Sequence, residues 1–378
     1  MTTPTIVENP LKQLTRFGQS IWLDYIRRSL MTSGELKRMI EQDGLGGMTS
    51  NPTIFEKAIT GGSEYADQLA DLRRDKGLDA KAIYERLAIR DIQDAADILR
   101  PVYDGTRKRD GFVSLEVAPF LANETQPTID EARRLWKAVD RPNVMIKVPG
   151  TAAGLPAIET LLGEGININI TLLFSQVVYE EVALAYIRAL EKCAERGIDV
   201  AGVASVASFF VSRIDTLVDS LIGEKLPESE PSERERLESL RSKVAIANAK
   251  LAYERYQHIF SGLRWEALRD RGAQTQRVLW ASTSTKNPKL SDVYYVEELI
   301  GPDTVDTIPP ATLDAFRDHG VPRASLQSGV DEAREVMSKL AACGISMKEV
   351  TDTLVIQGVK LFSDAFEKLL AAVDSHGA

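Results

Sequence analysis

Short apolar runs alternate along the chain with longer stretches whose apolar residues recur at helical period. Residues 20–25 read as a first strand, apolar and ending in an acid. Ser33 is expected to cap a helix over about 34–42 that Gly44 stops. A second run, 45–48, leads into Thr49-Ser50-Asn51-Pro52, which has turn chemistry. From about 54 to 100 the pattern is helical. Asp79 caps the longest piece, whose Ile83, Leu87, Ile92, Ala96 and Leu99 share one face before Pro101. Strands are then predicted over 112–117, 143–149, 165–170, 200–205, 277–281 and 304–308. The helices between them are assigned to about 128–139 (capped by Thr128), to 152–162, and to a segment from Ser175 to Gly197, with another opened by Ser208. A charge-dense stretch from 224 to 241 contains a capping box, Ser232 with Glu235, before Leu237, Leu240, Val244, Ala247 and Leu251. It reads as a solvated face. The C-terminus is helical after a second box, Ser346 with Glu349.

Eight strands, nearly all followed by helices, demand a parallel sheet. The count points to an α/β chain built as a single closed (β/α)8 TIM barrel with additional helices. An open doubly wound sheet is the alternative, but no Gly-x-Gly-x-x-Gly follows the first strand. One domain is expected over 1–378, with helical elaborations at about 54–100 and 224–260.

Composition narrows the function. At 44% hydrophobic and 27% charged, the 378-residue chain can bury a large core. A net charge of −9 argues against a nucleic-acid partner. Cys193 and Cys343 fit neither a disulfide framework nor a metal spacing, as expected of a reducing cytoplasm. His258, His319 and His376 do not pair at ligand spacing, which disfavours a zinc site or a Ser-His-Asp triad. Residues 1–10 lack the regions of a signal peptide, and no apolar run approaches membrane-spanning length. A soluble cytoplasmic protein without metal, cofactor or membrane partner is expected.

A barrel places its chemistry at the C-terminal ends of the strands, and polar residues occupy those positions. Asp24 ends the first strand and Asn51 follows the second. Glu116 lies late in the third and Lys147 late in the fourth. Asn169 and Thr171 end the fifth, Ser208 and Arg213 follow the sixth, and 282–286 follow the seventh. Each has an ordinary reading: an edge lysine reaching water, a capping aspartate, a turn asparagine, a surface arginine. Together they compose a Schiff-base aldol site. A desolvated amine attacks a carbonyl, carboxylates move protons, and amides hold sugar hydroxyls.

These same pieces carry a resemblance. Trp22-Leu23-Asp24, Thr49-Ser50-Asn51-Pro52, Val113-Ser114-Leu115-Glu116-Val117 and Met145-Ile146-Lys147-Val148-Pro149 resemble the transaldolases, members of the class I Schiff-base aldolases. So do residues 165–175, running Gly-Ile-Asn-Ile-Asn-Ile-Thr-Leu-Leu-Phe-Ser, and Ser208-Phe-Phe-Val-Ser-Arg213. The likeness covers most of the chain. It implies that Lys147 forms the Schiff base, that Glu116 is an acid/base acting through water, and that Asp24 serves the carbinolamine proton and a substrate hydroxyl. Asn51, Asn169 and Thr171 would position the three-carbon unit, and Ser208 and Arg213 would bind phosphate. Phe210 would help exclude water. After the seventh strand many transaldolases carry an arginine; here Ser282 runs on to Lys286, which would supply the second phosphate cation. The long helical insertions resemble a larger subgroup found also in fusions with a phosphosugar isomerase, although no isomerase portion is expected here.

The implied reaction carries a dihydroxyacetone unit between sugar phosphates: sedoheptulose 7-phosphate and glyceraldehyde 3-phosphate interconvert with erythrose 4-phosphate and fructose 6-phosphate. The pathway would be the non-oxidative pentose phosphate route. Rivals are an aldolase releasing free dihydroxyacetone, a metal-dependent barrel enzyme, and a non-catalytic phosphosugar-binding protein.

Overall fold

The computed structural model describes residues 9–375. The expectation about the first ten residues therefore falls almost wholly outside the described residues, as does His376. Eight strands, β1 (Gln19–Asp24), β2 (Gly47–Thr49), β3 (Phe112–Glu116), β4 (Val144–Pro149), β5 (Ile168–Leu173), β6 (Ser205–Phe210), β7 (Arg277–Ala281) and β8 (Thr304–Ile308), pair in chain order and close into a barrel. Every pairing is parallel, including β1 with β8. Strands β2 to β8 are buried at every residue, because helices cover one face and side chains from across the barrel fill the other. The (β/α)8 architecture is thus as expected. Among the described residues no helix is long and apolar enough to cross a membrane.

A largely buried ion pair lies at the N-terminal end of the barrel. Arg277 lies 2.9 Å from Asp110, which also accepts from Ser20 Oγ at 2.6 Å and from the Trp22 indole at 3.0 Å. Burial raises the pKa of Asp110, but the guanidinium and these donors outweigh it and hold the carboxyl below its usual range.

Several boundaries differ from the sequence reading, each for a packing reason. The helix Ala80–Gly105 runs through Pro101. Burial of Tyr103 edge-on against Phe112, with centroids 5.3 Å apart, carries it past a residue that costs about 3 kcal/mol in a helix interior. Thr128 caps nothing; it lies inside the helix Thr125–Val139 and donates to the Leu121 carbonyl. Ser205 begins β6 rather than ending a strand, and Ser208 lies within β6. Phe209 and Phe210 bury on opposite sides of the barrel wall, against Trp280 and Phe174, so the strand persists and the helix starts at Ser212. The Ser232 box does not form. Pro231 starts one helix, Pro231–Leu240, and Ser242, held in the left-handed region by the Asp219 carboxylate, separates it from Val244–Ile259. The helices Pro52–Thr60, Ala66–Leu72 and Ala80–Gly105 fill the interval between β2 and β3, and the two around Ser242 lie between β6 and β7.

The last helix, Met347–Ser375, does not run down the barrel wall. It packs on the helices that follow β2 and β6, on the turn after β3, and on β5 itself. It therefore crosses the C-terminal mouth. Gly358 is seated on Leu172, where an added Cβ would come within 2.7 Å of a methyl group.

Candidate active site

Alternation along the strands sends Glu116, Lys147, Asn169, Ser208 and Phe210 towards the interior near the mouth. The register then aligns them: Glu116 is opposite Lys147, and Lys147 is opposite Asn169. Lys147 is 4% exposed. Its Nζ donates to the Ser50 carbonyl at 3.2 Å and stands 3.9 Å from Glu116 Oε2. Among the described residues no donor reaches either oxygen of Glu116. Burial is the largest influence on this carboxyl and raises it, Lys147 opposes, and Asp24 adds to the rise, leaving its pKa at about 7. It therefore exists in both protonation states near neutral pH, as an acid/base group requires.

Asp24 keeps part of its surface open at the mouth, yet its carboxyl is deep enough for burial to raise its pKa. Lys147, a Thr49 hydrogen bond and Arg213 oppose that rise. Thr49 Oγ1 donates to Asp24 Oδ1 at 2.7 Å and lies 2.6 Å from Thr307 Oγ1. A hydroxyl has one proton, so Thr307 must donate to Thr49. The resulting chain, from β8 through β2 to β1, fixes the carboxylate against the mouth. A second chain runs across the other side. Ser208 Oγ donates to Asn169 Oδ1 at 2.6 Å, and Asn169 Nδ2 donates to Ser114 Oγ at 3.0 Å. Thr171 is fully buried, and among the described residues its Oγ1 has no partner. An orphaned hydroxyl two residues beyond Asn169, on the same face of β5, is suited to a polar ligand.

The other sequence-derived residues fall at the rim. Asn51 caps the helix Pro52–Thr60, its Oδ1 accepting from Ile54 N at 3.0 Å, which leaves only its amide N–H groups for a ligand. Arg213, in the first turn of the helix Ser212–Lys225, lies over the Phe210 ring at 5.2 Å. Ser282 Oγ is 3.0 Å from Ser212 Oγ. Outside these residues a cleft of about 500 Å³ opens between that helix, the loop after β7 and the C-terminal helix. Arg213, Lys286, Gln357 and the hydroxyls of Ser212, Thr216, Ser220 and Ser282 supply its polar groups, and among the described residues no carboxylate lines it. Two cations with hydroxyls and an amide suit an anion.

Ser208 is the residue whose surroundings differ most from expectation. It sits inside β6 with its proton engaged by Asn169, four residues before the helix that starts at Ser212. Sequence reasoning passed over Thr49, Ser114 and Thr307. Ser114 precedes Glu116 by two residues, so it shares that interior face. This periodicity was the available signal.

Comparison with known proteins places the chain in a family. Residues 21–373 match the transaldolase/fructose-6-phosphate aldolase family. "Transaldolase 2" of Nostoc sp. is 48% identical over 371 residues, 97% of each chain. "Transaldolase" of Trichodesmium erythraeum is 47% identical over 373 residues, 98% of each chain. "Transaldolase" of Thiobacillus denitrificans is 48% identical over 366 residues, 97% of this chain and 99% of its own. With a buried lysine beside a buried glutamate at the mouth of a parallel barrel, and likeness along nearly its whole length, the chain belongs to the transaldolase/fructose-6-phosphate aldolase family.

Proposed function

We propose that the protein is a transaldolase, moving a dihydroxyacetone unit from a ketose phosphate to an aldose phosphate through a Schiff base on Lys147. The reading rests chiefly on one observation. Lys147 is buried, with Glu116 at 3.9 Å on one side and the chain from Asn169 to Ser208 on the other. Its amine adds to the ketose carbonyl, and loss of water from the carbinolamine gives an iminium. Glu116, able to hold or release a proton near neutrality, serves that step through a water. Asp24 takes the proton of the substrate hydroxyl beside the breaking C–C bond, and the electron pair of that bond enters the iminium to give an enamine. The aldose phosphate leaves, and a second aldose phosphate reverses the sequence. Thr171, Asn169 and the amide of Asn51 position the three-carbon unit, and Phe210 helps exclude water. Ser208 acts by orienting Asn169. The substrates are small sugar phosphates of the non-oxidative pentose phosphate pathway, in the cytoplasm, and residues 1–378 act as one domain.

The phosphate is assigned to the cleft at Arg213, Ser282 and Lys286. Arg213→Ala should raise KM for phosphorylated acceptors roughly 10- to 100-fold, since a charged hydrogen bond contributes about 1.5–3 kcal/mol. Steady-state kinetics with glyceraldehyde should show little change. An equal loss with both acceptors would assign Arg213 a structural role.

Transferase and lyase differ in the fate of the enamine. Free dihydroxyacetone requires protonation at carbon and then hydrolysis. A transferase holds the enamine dry until an acceptor arrives. Fructose 6-phosphate alone should therefore release dihydroxyacetone far more slowly than it forms sedoheptulose 7-phosphate once erythrose 4-phosphate is added. Comparable rates on one preparation would make the protein an aldolase.

A further inference from the structure

One buried titratable group has no part in the reaction described above. Asp306 lies in β8, fully buried, opposite Trp280 of β7 in the register. Neighbouring Val305 and Thr307 alternate with it, and Thr307 points into the barrel to meet Thr49, so Asp306 faces outward, under the helical layer. Its Oδ1 accepts from Thr283 Oγ1 at 2.9 Å, and among the described residues nothing reaches Oδ2. Among the described residues no cation pairs with it. A carboxyl in that position is costly unless neutral, and burial, opposed only by the Thr283 bond, raises its pKa to about 8.

Thr283 is itself fully buried, and it directly follows Ser282 in the loop that carries Lys286. Ser282 has φ +58°, in a region that non-glycine residues enter only when their surroundings hold them there. Two pins do so. On one side Ser282 bonds through its carbonyl and hydroxyl to Ser212, at the start of the Arg213 helix. On the other, Thr283 is tied to Asp306. Further along, Thr285 and Asn287 bond to Ser291 and Ser242, which close the far end of the loop.

We propose that Asp306 is a positioning residue for the anion-binding loop: through Thr283 it holds Ser282 and Lys286 in place beside Arg213. Asp306 does not touch the ligand. Its neutral carboxyl acts as an amide would, accepting one hydroxyl proton in a dry site. The role rests on the assignment of phosphate to this cleft.

The test compares KM for erythrose 4-phosphate with KM for unphosphorylated glyceraldehyde in four variants. Thr283→Val and Asp306→Leu remove the bond from either end. Each should raise the KM ratio of phosphorylated to unphosphorylated acceptor by about 3- to 10-fold, the range of one neutral hydrogen bond, with kcat on glyceraldehyde unchanged. Asp306→Asn keeps the acceptor and should restore the native ratio. Thr283→Val retains the shape of the side chain, so the test does not depend on Asp306→Leu folding well. Arg213→Ala is the reference. A ratio that shifts in Arg213→Ala but in neither Thr283→Val nor Asp306→Leu overturns the positioning role alone. Equal losses on both acceptors overturn it too. A ratio unmoved in Arg213→Ala as well overturns the phosphate assignment, and the positioning role with it.

Discussion

Lys147→Arg should abolish turnover, lowering kcat by at least about three orders of magnitude, the scale of loss when a covalent nucleophile is removed. Arginine keeps the positive charge beside Glu116 but does not form an imine with a ketose. The fold should survive, because the change preserves charge in a site where Nζ already contacts the Ser50 carbonyl and Glu116. Sugar-phosphate binding at the rim should also remain, since Arg213 and Lys286 lie in the outer cleft. Loss of activity with retained binding, measured by isothermal titration, separates lost chemistry from lost structure.

The second large effect is expected at Glu116. Glu116→Gln should lower kcat roughly 10²- to 10⁴-fold, the usual contribution of a positioned acid/base group, mainly by slowing imine formation. The pH profile gives an independent reading. With a pKa of about 7, Glu116 should place an inflection near neutrality in kcat/KM that the variant lacks. The same group sets a stability trend of definite sign. Its folded pKa is raised above the unfolded value near 4.5. Its contribution is therefore fully present below about pH 4.5 and lost as pH rises through about 7. Glu116→Gln escapes this loss. Urea denaturation should find the variant more stable than the native protein at pH 8, with the gap closing at pH 4. A gap that widened towards acid would mean that Lys147 outweighs burial at this carboxyl.

The proposed reactive set stands out in the sequence because it violates strand patterning. A lysine and a glutamate inside apolar runs are costly unless they act together, and the barrel rule places them at one mouth. The strands themselves were readable from their buried, apolar character. What failed was local punctuation. Serine is a good N-cap, so Ser208 reads as a helix start, whereas Phe209 and Phe210 hold it in β6. Pro101 marked a stop that tertiary packing overrides. The hydroxyl chain through Thr49 and Thr307 joins residues 258 positions apart, a relation no period can show. The course of the last helix is likewise invisible in its own pattern. An apolar stripe looks the same whether it covers the barrel wall or crosses the mouth, and only packing on β5 and the helix after β2 distinguishes them.

The central claim is that Lys147 carries the three-carbon unit, and reductive trapping tests it most directly. The native protein is incubated with fructose 6-phosphate, reduced with borohydride, digested and mapped by mass spectrometry. The account predicts a dihydroxyacetone-derived adduct on the peptide containing Lys147, and none in Lys147→Arg. An adduct on another lysine, or none in the native protein under turnover conditions, would contradict it.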